Sequence, residues 1–142
     1  MPAWVCSGFD EYQKRLPAHL KFKLQEFDLA LQADAATRKA HECTRMLDAL
    51  PGRAHVVALT ETGTPFSSAQ LAEKIASWLQ IGRELVFVIG GPDGLAPALL
   101  ARADVTFSLS ALTLPHALVR VLLSEQIYRA HSILVGHPYH RV

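Results

Sequence analysis

Three stretches of this 142-residue sequence carry groups from which a chemical site can be built. Val86 to Gly91 reads VFVIGG, an apolar run that opens into the turn Pro92-Asp93-Gly94. Gly90, Gly91 and Gly94 permit positive φ, and Pro92-Asp93 favours a tight turn. A buried strand ending in a loop without bulky side chains lets a small ligand touch backbone. The spacing is neither GxGxxG nor a phosphate loop, since no Gly-Lys-Ser/Thr follows, and a plain connecting turn fits the same residues. Ser108 to His116, SLSALTLPH, is the second stretch. Its small and hydroxyl residues precede Pro115, which suits the first helical turn, with Thr113 as a cap. Free amides beside Leu109, Leu112 and Leu114 can hold a flat heterocycle, or simply lead into a core helix. The third is the closing HPYHRV, where His137, Tyr139, His140 and Arg141 combine hydrogen-bonding rings, a stacking ring and a phosphate-binding fork.

Other chemistries lack their residues. There is no GxSxG, neither cysteine lies in a nucleophile motif, and no catalytic pair of carboxylates is evident. His137 and His140 have no nearby carboxylate or thiol at ligand spacing, and His41-Glu42-Cys43-Thr44-Arg45 fails the zincin pattern, so no metal is expected. Group transfer remains, with the protein orienting a cosubstrate. Arg120 and Arg129 are open to two readings. Glu125 and Arg129 form an i,i+4 pair, while both arginines are also suited to facing a phosphate.

Half the residues are hydrophobic and 19% are charged, so the chain can bury a core and is expected to be one domain over residues 1–142. A formal charge of +1 excludes a strongly basic coat, so any nucleic-acid contact is local. Cys6 and Cys43 are isolated, with no secretory signal ahead of them, which points to the cytoplasm. No apolar stretch approaches the roughly 20 residues of a membrane helix.

The elements that position these stretches follow from periodicity. Helices are expected over Gly8 to Leu16, Asp34 to Leu50, Ser68 to Leu79 (capped by Ser67 or Ser68), near Ala96 to Arg102, and over Pro115 to His131. Strands are expected around Phe22 and Leu24, at His55 to Leu59, Leu85 to Ile89 and Val105 to Leu109, with an extended tail. Strands alternating with helices predict an α/β fold with a largely parallel sheet. Leu118, Val119, Leu122, Leu123 and Ile127 share an apolar face of the last helix, suited to a core or a dimer interface.

VFVIGGPDGL, FSLSALTLPHALVRVLLSEQIYRA and HPYHR together resemble the RlmH family of SPOUT-class methyltransferases, and PAWVCSGFDEYQKRLP extends the resemblance over essentially the whole chain. The resemblance implies methylation of N3 of a pseudouridine in 23S ribosomal RNA of the ribosome, with S-adenosyl-L-methionine as cosubstrate, by a homodimer. It implies a SPOUT-type α/β knot, which chain-threading statistics alone would exclude. Carried over, the cofactor meets Leu59, Thr60, Gly91, Ser110, Ala111, Leu112, Thr113, Leu114 and Pro115. His116, Arg129, Tyr139, His140 and Arg141 fall on the substrate side. Two departures stand out. The family begins with a further apolar strand ahead of the position of Met1, and it often has Asp-Ile-Pro-Gly where this chain has Thr60-Glu61-Thr62-Gly63. A catalytically silent ribosome-binding module retaining the pocket is the alternative reading.

Overall fold

A computed structural model describes residues 2–27, 34–90 and 93–141. Helix α1 spans Ala3–Gln13 and α2 spans Ala35–Ala49. Strand β1 (His55–Pro65) leads to α3 (Ser68–Gln80), β2 (Leu85–Ile89), α4 (Pro97–Arg102), β3 (Val105–Ser108) and α5 (His116–Val135). The helix starts follow local chemistry. The Asp34 carboxylate accepts from the Thr37 amide, and Ser67 and Gln70 form a reciprocal capping box.

The strands form one parallel sheet in the order β2-β1-β3. β1 is therefore central and must be apolar on both faces. Val57 and Leu59 enter a cluster with Leu71, Ile75, Trp78, Phe107, Leu123 and Ile127, beneath α3 and α5. Val56 and Ala58 enter a second cluster with Cys43, Val88 and Leu99, beneath α2 and α4. Full burial of Val56 and Val57 contributes about 1.5–3 kcal/mol each. Gly8 brings α1 onto α5: a Cβ there would lie 3.0 Å from Val121 Cγ1.

The structure corrects several boundaries. α1 starts at Ala3 rather than Gly8 and ends at Gln13 rather than Leu16. Residues 21–27 form no strand. Phe22 and Leu24 keep the alternation of half-buried with exposed positions, yet a cavity of about 1000 Å³ separates this segment from the free edge of β2. A strand needs a ladder partner at roughly 4.8 Å, and here the alternation has none. Pro115 immediately precedes α5 and Thr113 does not cap it; no side chain does.

Candidate active site at the strand ends and tail

β1 pairs with β2 and β3 in the same direction, with Leu59 opposite both Ile89 and Phe107. The carboxyl ends of all three strands consequently lie side by side, which is where open α/β sheets bind ligands. Leu59 is buried at this edge and Thr60 is half-buried. The strand continues farther than periodicity predicts. Thr64, like Leu59, faces Phe107, so residues 60–63 loop out and the chain returns to β3. Gly63 makes that return possible, because a Cβ would sit 2.6 Å from the Phe107 amide nitrogen. Within the loop, the Thr62 amide donates to Thr60 Oγ1 at 3.4 Å.

At the end of β2, Gly90 packs against the backbone of Gly94, where a Cβ would lie 2.7 Å from a carbonyl carbon. Gly91 falls outside the described residues. Asp93 of this loop accepts from Arg38 Nε and Nη2 at 3.0 and 3.1 Å, tying the loop to the first turns of α2. The Arg38 guanidinium holds the Asp93 carboxyl below its ordinary range. Nothing in the sequence signals this pair, whose members lie 55 positions apart.

After β3, Ser108 Oγ donates to the Ser110 carbonyl and the Leu112 amide donates to Ser110 Oγ at 2.9 Å, forming a side-chain-closed turn. Ala111, Leu112 and Thr113 are exposed, Leu114 is half-buried and Pro115 is exposed. A small-residue cradle, an open hydroxyl turn and apolar Leu112 suit a flat heterocycle bearing a polar tail. The described residues thus fit an adenosyl cosubstrate held largely by backbone.

The substrate-side residues divide. His116 opens α5 and, with Gly90 and Arg120, lines the cavity beside β2. Arg120 pairs with Glu26. Arg129 lies 13 residues beyond His116, about 20 Å at 1.5 Å per residue. There the tail is not extended away from the fold. Gly136, at φ 75°, ends α5 in the left-handed conformation, and the His137 amide donates to the Ser132 carbonyl at 2.8 Å, a Schellman turn.

The turn sends Tyr139 back onto Tyr128, with ring centroids 4.7 Å apart. The Tyr139 hydroxyl donates to Glu125 Oε1 at 3.0 Å, while Arg129 Nε and Nη2 donate to the same oxygen at 2.9 and 2.5 Å. The Arg129 guanidinium also covers the Tyr139 ring at 4.8 Å and reaches His140 Nδ1 at 3.1 Å. Burial, then the hydrogen bond to Glu125, pushes the Tyr139 hydroxyl above the usual phenol range. Glu125 raises the Arg129 pKa in turn. Arg141 is exposed. Arg129, Tyr139 and His140 therefore come together, His116 stands apart, and Glu125 is the member that motif reading left as a bland helix pair. Its neighbour Gln126 donates to Glu125 and accepts from Ser68 at the start of α3.

Among the described residues no group of His, Cys, Asp or Glu is placed to hold a metal ion, and no helix is long and apolar enough to cross a membrane.

A parallel sheet with a ligand-suited rim at its strand ends and a folded basic-aromatic tail matches one class over nearly its full length. Residues 1–140 match the family described as "Predicted SPOUT methyltransferase", and the chain belongs to that family. Among curated relatives, proteins named "Ribosomal RNA large subunit methyltransferase H" from Burkholderia mallei (strain SAVP1) and Burkholderia pseudomallei (strain K96243) are each 51% identical to it. The match runs over 144 residues and covers 99% of this chain and 92% of the relative.

Proposed function

We propose that this chain methylates N3 of a pseudouridine in 23S ribosomal RNA, with S-adenosyl-L-methionine as methyl donor, and that it works in the cytoplasm on the ribosome as a homodimer. Relatives that share half of its residues and carry that ribosomal RNA name support the reaction class. The rim supports the donor. Leu59, Thr60, Gly91 and Ser110 to Pro115 would hold S-adenosylmethionine, chiefly through backbone groups. When bound, it supplies an electrophilic methyl carbon: the N3 electron pair takes the carbon, the old bond pair stays on sulfur, and the N3 proton is released.

The chain's own residues then orient the base against the methyl carbon. Arg129, Tyr139, His140 and Arg141 form the substrate side, with the exposed Arg141 available to a phosphate. The observation that carries the dimer is the separation along α5. Along α5 the tail cluster lies about 14 Å (Glu125) to about 20 Å (Arg129) from His116 of its own chain, so a tail from a second copy is what completes the rim.

Transfer of labelled methyl from S-adenosylmethionine to ribosomes lacking the modification, followed by mapping of the methylated position, tests the reaction. Incorporation at a pseudouridine N3 is expected, and a folded chain that binds the donor yet labels no ribosomal RNA sinks the proposal. Mixing a rim-defective variant with a tail-defective one tests the shared site. Two dead homodimers should regain activity as a heterodimer.

A further inference from the structure

We infer that His140 acts as a neutral hydrogen-bond donor through Nε2, aimed at a carbonyl oxygen beside the reacting nitrogen, and that Glu125 is the positioning residue that sets this state. The inference rests on the methyltransferase reading for its substrate and on the tail geometry for its chemistry.

The geometry leaves one proton arrangement. Two donor atoms of the Arg129 guanidinium, Nε and Nη2, are taken by Glu125 Oε1. The remaining terminal nitrogen, Nη1, stands 3.1 Å from His140 Nδ1. A guanidinium only donates, so Nδ1 must be the acceptor and the ring proton sits on Nε2. An imidazolium would set N–H against N–H and cation against cation. The neighbouring groups reinforce this: Glu125 from α5 is matched by Arg129, the Tyr139 hydroxyl keeps its proton toward Glu125, and Tyr12 and Arg15 of α1 lie against Tyr128. None of them offers His140 Nδ1 a carboxylate.

A ring fixed this way has no free lone pair with which to accept the N3 proton, which passes to solvent. Its free N–H suits the oxygen on which negative charge grows as N3 loses that proton. N3 of a uracil-type base, pseudouridine included, is flanked by two carbonyls, so the ligand group is one of those carbonyl oxygens. Donors aimed at developing charge belong to the electrostatic class of catalysis.

The test is the long-range proton–nitrogen spectrum of the full-length, nitrogen-15-labelled protein, with His140 assigned by loss of its signals in H140Q. A neutral ring carrying its proton on Nε2 is expected at pH 7.5, and R129M should release that preference. An Nδ1–H tautomer or an imidazolium in the unsubstituted protein overturns the inference. Single-turnover methyl transfer gives a second readout. H140A should be slower by about 10²-fold, as for loss of one charge-stabilising donor, whereas H140Q, which keeps an N–H, should recover about 10-fold of that. E125A should lose transfer with donor affinity unchanged, and E125Q, which keeps an acceptor oxygen, should partly restore it. Equal loss in H140A and H140Q would also overturn the donor role. Methyl transfer by a protein lacking the Nε2–H tautomer would leave the proposed function standing and remove only this inference. The tautomer in a chain that transfers no methyl would remove the proposed function and the catalytic role of His140 with it, leaving only the proton arrangement of the tail.

Discussion

At the strand ends, positions 63 and 90 leave no room for a side chain, because other backbone already lies within 2.7 Å of where Cβ would be. From the middle of α5 onward, Glu125, Arg129, Tyr139 and His140 meet through their side chains alone. The rim is thus a shape made by backbone, and the tail is a proton and charge arrangement laid over a helix. Damage to the first should change folding and donor binding together. Damage to the second should change transfer and spare donor binding.

The sharpest way to break this division is to remove residues 137–142. Transfer is expected to fall by at least about 10²-fold, the cost of losing positioning, while donor affinity by calorimetry stays near its original value. Parallel loss of donor affinity would mean the tail belongs to the rim. Next in size, G63A and G90A each force a Cβ against backbone and should cost about 1–3 kcal/mol in urea denaturation, with weaker donor binding alongside. Retained stability in G63A would show that the loop over residues 60–63 can relax.

A control sits at the opposite edge of the sheet. Asp104 Oδ2 accepts from the Val56 amide at 2.8 Å, and this bond, then His55 and Arg102 nearby, holds its carboxyl below the ordinary range. A depressed folded-state pKa means its stabilisation is present above the unfolded value of about 4 and is lost as pH falls through the folded value. D104A should cost about 1–3 kcal/mol at pH 7, since it leaves a buried amide unpaired. Its midpoint should also change less than the parent's as pH drops below about 4, with donor affinity untouched at pH 7. The smallest effect is expected from S67A, which removes one half of the α3 capping box and should lower stability by about 1 kcal/mol. A loss of transfer beyond that would mean the Ser68–Gln126–Glu125 contacts carry the disturbance to the tail.

How much of this was legible depended on range. The strand at His55 to Leu59, a cap at Asp34 and one at Ser67 or Ser68 were legible, because propensity and capping act over a few residues, and the structure selects Ser67. The alternation at Phe22 and Leu24 was equally clear and still misled, since a strand also needs a ladder partner that local pattern does not supply. Arg38 with Asp93 was invisible for a related reason. Of the tail cluster, spacing alone offered the i,i+4 pair of Glu125 and Arg129, and the family resemblance put Arg129, Tyr139 and His140 on one side. Its use by Tyr139 and His140 depends on the reversal at Gly136.

That reversal also limits what the tail can touch. From Gly136 back to Pro115 is about 30 Å along the helix axis, whereas residues 137–141 fully drawn out span about 17 Å. Like a tether bolted at the wrong end of a beam, this segment falls short of its own strand-end loop even if it lets go of Glu125. Swapping tails between differently marked copies would therefore move the defect to the neighbour.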